Sequence, residues 1–113
     1  MDNYSVQFNR DNDGQEIALV PLSNSPLVVK MFKDDYQELE SLGVGPPYKL
    51  RQGHVVRHIN KNDLMVGRLI KNLDKGQNIK YQDGDHGNLR RDNLIVRYGG
   101  SKFKERDRIK NAN

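Results

Sequence analysis

Short apolar segments alternate with turn residues along the first third of the chain, which predicts small antiparallel strands. The segment Glu16–Val20 has the composition of a strand, and Pro21 ends it or confines it to a sheet edge. Turn-forming residues follow, and Leu27–Phe32 is predicted to form a second strand. Residues 1–15 are polar and rich in Asn and Asp, so we expect a loose N-terminal arm there.

A helical periodicity begins directly after the second predicted strand. Asp34 is placed to cap this helix, and Tyr36, Leu39 and Leu42 fall on one face of it. Gly43 is predicted to end the helix, because glycine readily adopts the left-handed conformation found at helix C-termini. The pattern therefore predicts one amphipathic helix between the first strands and the rest of the chain.

The remainder of the chain predicts further short strands and two more helices. The apolar positions of Leu69–Leu73 fit a short helix closed by Lys75-Gly76, and Ser101 is placed to cap a basic helix from Lys102 to about Asn111. The predicted strands are Tyr48–Leu50, His54–Ile59, Leu64–Val66, Ile79–Tyr81 and Leu94–Val96. We therefore expect an α+β fold, with small antiparallel sheets or hairpins and short helices, in a single domain over residues 16–113.

Composition favours a cytoplasmic protein with a basic C-terminal part. Of the 113 residues 35% are hydrophobic and 30% are charged, and the absence of cysteine excludes disulfides and thiolate-bound zinc. No apolar run is long enough to cross a bilayer and no signal-peptide pattern opens the chain, so no membrane partner is expected. Residues 1–42 carry three basic and eight acidic residues, a net charge of −5, whereas residues 43–113 carry sixteen and seven, a net charge of +9. This asymmetry favours a polyanionic partner, with an ordinary solvated surface as the alternative.

Two groups of polar residues have the chemistry of metal ligands. The segment Asp83-Gly84-Asp85-His86, with Asp92 nearby, contains several donors, but Asp and Gly are also the residues that turns favour. We expect a polar turn here and keep a displaced metal site as the alternative. His54 and His58 fall on the same side of a predicted strand, but no third zinc ligand is evident, so a surface strand is expected. No cofactor motif and no site for a small-molecule substrate are apparent.

The segment 65–97 combines several short motifs in a fixed order. An Arg-Leu-Ile run at Arg68–Ile70 is followed by Lys75-Gly76, then by Gly84-Asp85, and then by the run Arg90–Leu94. This order resembles the HNH (ββα-metal) segment of small homing-endonuclease-like proteins, which are common in phages. The first half of the chain is similar to the same family in layout, so the resemblance covers residues 16–103. It implies an HNH-like ββα unit over about residues 77–112 and a phage origin.

The resemblance also implies a catalytic site whose key residues are absent from this chain. In the family, a strand histidine acts as the general base, and a neighbouring Asp and a helix Asn bind one divalent cation. By position these become Tyr81, Lys80 and, within a residue or two, Lys102, while Gly67 stands where an earlier histidine would be. A tyrosine is a poor base near neutral pH and a protonated lysine repels a cation, so we expect no catalytic residue and no bound metal. Asn93 matches a position that braces the loop, which indicates that the scaffold is kept without the reaction.

The basic residues around this lost site indicate a surface for nucleic acid. In the family the loop that corresponds to Arg90 and Arg91 lies against the nucleic-acid backbone. We expect the chain to bind double-stranded DNA through a basic cleft and the C-terminal helix, in a salt-sensitive and weakly sequence-dependent way. The candidate contacts are Arg68, Lys71, Lys80, Arg90, Arg91, Lys102, Lys104, Arg106 and Arg108.

Two other functions are consistent with the sequence. A nuclease scaffold without catalytic residues is also suited to binding a host or phage protein, for example as an inhibitor of a host enzyme, and the acidic residues 1–42 would serve that role better than DNA binding. Tyr4, Phe8, Tyr98 and Phe103 are candidate anchors for such a partner if they are exposed. A weak metal-dependent DNA endonuclease is the second alternative.

Overall fold

Three small antiparallel sheets and three short helices form the part of the chain that the computed structural model describes, residues 5–110. The elements are β1 (Gln7–Arg10), β2 (Glu16–Pro21), β3 (Val28–Phe32), α1 (Lys33–Ser41), β4 (Lys49–Arg51), β5 (His54–Ile59), β6 (Asn62–Met65), α2 (Val66–Lys71), β7 (Gln77–Tyr81), a 3-10 turn (Arg91–Asn93), β8 (Leu94–Tyr98) and α3 (Glu105–Lys110). The strand orders are β1-β2-β3, β4-β5-β6 and β7-β8, so the predicted α+β class is confirmed. Within residues 5–110, no helix has the length and apolar character that a membrane crossing requires.

One continuous hydrophobic core joins the three sheets to α1 and α2. Tyr48 is wholly buried within this core, and its hydroxyl donates a hydrogen bond to the carbonyl oxygen of Val44 at 2.9 Å. Burial raises the pKa of the Tyr48 hydroxyl well above its ordinary value. The other large side chains that are fully buried are Met31, Leu39, Leu64, Leu69, Ile70, Leu89 and Leu94.

The N-terminal segment is paired with the sheet. Residues Gln7–Arg10 form β1 and pair antiparallel with β2, although all four side chains are exposed. The ring of Phe8 also meets the ring of Tyr36 edge-on, with 5.8 Å between the centroids. The N-terminal arm predicted over residues 1–15 therefore contains an ordered strand, because ladder hydrogen bonds hold a polar segment that has no apolar periodicity. The candidate anchor Tyr4 lies outside the described residues.

The first helix starts one residue earlier than its predicted cap. Phe32 occupies the N-cap position without a side-chain hydrogen bond, and α1 begins at Lys33, so the prediction that Asp34 caps the helix was wrong. Asp34 lies in the first turn instead, where its negative charge interacts favourably with the helix dipole. The predicted end is confirmed, since α1 stops at Ser41 and Gly43 has a φ of 82°.

The C-terminal helix starts later than predicted, because the preceding segment is used to dock against the fold. The carbonyl oxygen of Ser101 accepts a hydrogen bond from the backbone N–H of Gly76 at 2.8 Å. The carbonyl oxygen of Phe103 accepts a hydrogen bond from Arg68 Nη2, also at 2.8 Å. Helix α3 therefore begins at Glu105 instead of Lys102, and it packs mainly against α2 and β6.

One buried arginine connects α2 to the start of β7 and to α3. Arg68 is only 3% exposed, and its Nε donates to Glu105 Oε1 at 2.6 Å. The same guanidinium donates to the carbonyl oxygens of Gln77, Asp74 and Phe103. Arg68 was predicted to contact nucleic acid, but the structure places it in the interior with its donors occupied by the protein itself. Its charge and hydrogen bonds hold the fold together.

Gly67 allows α2 to pack closely against the β7–β8 hairpin. A Cβ atom at this position would lie 2.5 Å from Ile79 Cδ1 and 3.8 Å from the side chains of Leu89 and Leu94. Since Ile79 is itself buried, it has little room to move away. A side chain at this position would therefore push α2 and Ile79 apart.

Replacing Gly67 with histidine is expected to destabilise the protein by about 1–3 kcal/mol, because an imidazole would overpack the contact between α2 and Ile79. Chemical denaturation would measure the change in the free energy of unfolding. Lys71→His is the matched control in the same helix, since Lys71 is only partly buried, and it should change the stability by less than about 0.5 kcal/mol. Equal stability of the two variants would show that this contact is not tight.

Replacing Arg68 with methionine is expected to cost about 3–5 kcal/mol, because it leaves Glu105 largely buried without its partner and removes the guanidinium hydrogen bonds to three carbonyl oxygens. The control is Lys104→Met, which removes an ion pair to the exposed carboxylate of Asp74 and should cost less than about 1 kcal/mol. Adding Glu105→Gln to Arg68→Met should restore part of the loss. A fully additive double variant would contradict direct coupling of the two side chains.

Candidate nucleic-acid interface

The loop between β7 and β8 is organised around one aspartate. Asp83 Oδ1 accepts hydrogen bonds from Asn93 Nδ2 and from the backbone N–H of Asp85, and Oδ2 accepts one from Asn88 Nδ2, all at 2.9 Å. The hydrogen bond from Asn88 is the largest of the effects that lower the pKa of the Asp83 carboxyl. Asn93 Oδ1 in turn accepts from the backbone N–H of Asp83 at 3.0 Å. Asn93 thus braces the loop from both sides of its amide group.

The same loop is fastened to the N-terminal sheet. The backbone N–H of Lys30, in β3, donates to Gly87 at 2.9 Å, and the carbonyl oxygen of Lys30 accepts from Leu89 at 2.7 Å. Arg90 forms an ion pair with Asp11 at 2.9 Å. Within the loop, the carboxylates of Asp83 and Asp85 accept hydrogen bonds from backbone N–H groups two residues further on. This pattern agrees with the interpretation of the Asp83-Gly84-Asp85-His86 segment as a polar turn. The loop is therefore a fixed part of the fold.

Tyr81, His86 and His54 form an aromatic stack beside the β7–β8 loop. The ring of Tyr81 lies against that of His86 with 4.1 Å between centroids, and His86 in turn lies 5.1 Å from the ring of His54. Burial raises the pKa of the Tyr81 hydroxyl to about 12, so the hydroxyl is protonated near neutral pH. Burial, and then the neighbouring His86, lower the pKa of His54, whose Nδ1 is buried without a hydrogen-bond partner.

The stack was not predicted from the sequence, in which the spacing of His54 and His58 indicated that these two histidines share one side of a strand. The structure separates the two histidines: His58 Nδ1 lies 2.8 Å from Asp63 Oδ1 at the other end of β5. His86 reaches His54 from the β7–β8 loop, where its Nδ1 also contacts the carbonyl oxygen of Gly53. Only the three-dimensional fold brings residues from such distant segments together, so spacing along the chain gave no signal for it.

The residues at the expected metal position do not fit a divalent cation. Tyr81 presents a protonated hydroxyl within the stack, and Lys80 is exposed on the opposite face of β7. Lys102 is exposed in the segment before α3. Among residues 5–110, no group of three or more His, Asp or Glu side chains is placed to hold a metal ion. A cationic ammonium group and a neutral phenol are poor partners for Mg²⁺.

Several of the predicted DNA contacts are neutralised by acidic residues of the same chain. Such pairing lowers the positive potential that a side chain offers to phosphate, although it leaves some donors free. Arg91, for example, is bound to Asp35 at 2.9 Å but is still nearly half exposed. The ion pairs are Arg68–Glu105, Arg90–Asp11, Arg90–Asp92, Arg91–Asp35, Lys104–Asp74 and Arg106–Glu38. Two of these basic residues belong to the C-terminal helix or the segment before it, so that region offers less free charge than its sequence suggests.

A different set of cations has no acidic partner within the described part of the chain. Lys71, Lys80 and Lys102 are the predicted contacts in this set, and the structure adds Lys75 and Arg97, which the sequence analysis did not select. The guanidinium of the remaining predicted contact, Arg108, lies 3.7 Å from the centroid of the Phe103 ring and bonds to the neutral side chain of Asn62. Pairing, which cannot be read from a single sequence, decides which charges are free.

Four of the unpaired cations lie on or beside the β7–β8 hairpin, and we call them the basic surface: Lys75, Lys80, Arg97 and Lys102. Lys75 and Lys102 both line a surface cleft of about 670 Å³. Two backbone hydrogen bonds, Gly76 to Ser101 and Gly99 to Gly76, both 2.8 Å, join this cleft to the open end of the hairpin. Lys80 lies in β7, five residues after Lys75, and the turn that contains Lys75 leads directly into this strand.

The outward side of the hairpin is polar and cationic. Alternation along the strands directs Ile79, Tyr81 and Leu94 into the core and leaves the opposite side free. We call this free side the ribbon face, and its residues are Asn78, Lys80, Gln82, Ile95 and Arg97, all of them exposed. Lys80 is directly opposite Ile95, and Asn78 is directly opposite Arg97. The ribbon face therefore presents two cations and two amides around one apolar side chain, without an acidic residue.

Three of the candidate protein-binding anchors are exposed, but they do not form one patch. Phe8 is 46% exposed in the N-terminal sheet, whereas Tyr98 and Phe103 are 83% and 52% exposed in the C-terminal part. Phe8 also packs against Tyr36, and Phe103 lies under Arg108. Of these three side chains, Tyr98 is the most available for a partner.

Comparison with known proteins gives no match: no protein-family model, curated protein or solved structure is significantly similar to this chain. The assignment of a function therefore depends on the geometry and charge described above.

The lowered pKa of His54 predicts that the protein is less stable in mild acid. In the folded state His54 takes up a proton at lower pH than in the unfolded chain, where its pKa is about 6.5. The unfolded state therefore binds more protons between these two values, and the stabilisation present above pH about 6.5 is lost as the pH falls through the folded pKa. Denaturation at several pH values should show this loss, and His54→Phe should reduce it while keeping an aromatic ring in the stack. An unchanged pH profile in that variant would contradict the assignment.

Proposed function

We propose that this protein binds double-stranded DNA through the basic surface, mainly by contacts to backbone phosphates. The observation that carries the proposal is that Lys75, Lys80, Arg97 and Lys102 lie on or beside one hairpin without an acidic partner among the described residues. Elsewhere on the C-terminal part, many basic residues are already paired. Unpaired cations on and beside one hairpin are suited to backbone phosphates, because binding releases condensed counterions.

An HNH-like scaffold is part of the same proposal. In this reading β7, β8 and α3 are the ββα unit of a degenerate, phage-encoded member of the family, and the loop braced by Asn93 is the part of the scaffold that this chain retains. The buried Tyr81 and the exposed Lys80 support a non-catalytic protein, since neither offers the base or the metal ligand that the family reaction needs. The C-terminal helix would then contribute structure more than phosphate contacts.

Binding to a short DNA duplex should weaken steeply with salt. With four phosphate contacts, the slope of log K against log salt concentration should be about −3 to −4. The double variant Lys80→Ala with Arg97→Ala should bind more weakly and reduce the slope by about two. Fluorescence anisotropy with a labelled duplex at several salt concentrations would measure both quantities.

The matched control is the double variant Arg10→Ala with Arg51→Ala, which removes the same formal charge from two exposed positions in β1 and β4. It should leave the affinity and the slope nearly unchanged. If both double variants lose the same affinity, the binding depends on the net charge of the protein and not on the basic surface, which would contradict the proposal. Absence of binding by the wild type at low salt would also overturn it. Adding Mg²⁺ or Mn²⁺ with supercoiled plasmid tests the endonuclease alternative, and robust nicking would contradict a non-catalytic role.

The rival function, binding of a protein partner, is favoured by one observation, the high exposure of Tyr98. This side chain lies at the end of β8, next to Arg97. If Tyr98→Ala leaves DNA binding unchanged while the wild type binds DNA in a salt-dependent way, the tyrosine is not part of the DNA surface. A chain that does not bind DNA at low salt would make the protein partner the better proposal.

A further inference from the structure

The β7–β8 hairpin is an isolated two-stranded ribbon within the described part of the chain. Its two strands pair only with each other, from Gln77 opposite Tyr98 to Tyr81 opposite Leu94. One side of the ribbon is supported by the core through Ile79 against α2. The other side is the ribbon face, which the described residues leave uncovered.

The dimensions of this ribbon suit the major groove of DNA. Two paired strands are separated by about 4.8 Å, so the ribbon with its side chains fits a groove that is about 12 Å wide. The inner support from α2 would hold the ribbon rigid while its outer side chains face the bases.

The residues of the ribbon face have the chemistry that reads base edges. With the ribbon in the groove, Arg97 and Lys80 would exchange a phosphate contact for the O6 and N7 acceptors of guanine, and Lys75 and Lys102 would remain on the backbone. The amide of Gln82 can pair with adenine. The Oδ1 atom of Asn78 already accepts the backbone N–H of Ile79 at 2.9 Å, so this side chain keeps its N–H donors for an acceptor in the groove. Ile95, which is 41% exposed, offers an apolar surface to a thymine methyl group.

We propose that the β7–β8 ribbon inserts into the DNA major groove and that Asn78, Lys80, Gln82, Ile95 and Arg97 read a short base sequence there. This inference rests on the proposed DNA binding and adds sequence preference to it. Charge complementarity favours DNA as the occupant, since the ribbon face carries two unpaired cations and no acid. Side chains two residues apart on one strand are about 6.8 Å apart, which corresponds to about two base-pair steps. The preferred sequence should therefore cover about four or five consecutive base pairs.

Selection from a randomised duplex library tests the inference directly. The wild type should enrich a short preferred sequence, and Gln82→Ala combined with Ile95→Ala should lose the preference at some positions while keeping salt-dependent binding. Arg97→Lys preserves the charge but not the paired donors of a guanidinium, so it should reduce discrimination at one guanine position by about tenfold. The matched control is Arg10→Lys, an equivalent change in exposed β1, which should alter neither the preference nor the salt dependence.

The groove is identified by chemical substitution within the selected duplex. Replacing N7 of its purines with carbon should weaken binding, whereas a ligand that fills the minor groove should not compete. Salt-dependent binding without any enriched sequence, or with competition from the minor-groove ligand, would overturn the ribbon inference and leave the proposed DNA binding intact. No retention of any duplex at low salt would instead overturn both proposals, and the ribbon face would then be assigned to a protein partner.

Discussion

The guanidinium of Arg68 is the interaction on which the C-terminal half of the structure depends. It is buried in α2 and reaches the carbonyl oxygens of Asp74, Gln77 and Phe103 as well as the carboxylate of Glu105. A single planar group thereby fixes where β7 begins and how the segment before α3 approaches it. Such a buried charge is stable only because its hydrogen-bond donors find partners. The position of the hairpin relative to the core, and therefore of every cation on it, follows from this arrangement.

The sequence predicted the elements of this fold better than their ends. Apolar alternation located seven of the eight strands, since burial of one face imposes a period of two. The strand at Gln7–Arg10 was missed because ladder hydrogen bonds hold a segment whose exposed side chains carry no such period. The starts of α1 and α3 were misplaced because Asp34 and Ser101 have the chemistry of caps, but local backbone contacts decided otherwise. Tertiary contacts of this kind leave little trace in a single sequence.

The candidate site could be predicted only in outline. A basic C-terminal part is visible in the sequence, yet its free charges are not, because ion pairs such as Lys104–Asp74 join residues thirty positions apart. Arg97 was not selected because it lies outside the motifs, although the alternation of β8 places it on the ribbon face. The Tyr81–His86–His54 stack was likewise hidden, since its three members come from β7, the following loop and β5.

In β7 and β8, residues that stabilise the core alternate with residues that face outward and are available for recognition. The core is stabilised by the inward side chains Ile79, Tyr81 and Leu94, whereas the exposed side chains between them do not contribute to the core. Mutations at those intervening positions can therefore accumulate without unfolding the chain, as exposed substitutions change stability little. Related chains could diverge rapidly in what they recognise while they share one scaffold. The same separation makes the hairpin a suitable starting point for libraries in which only the outward side chains are varied.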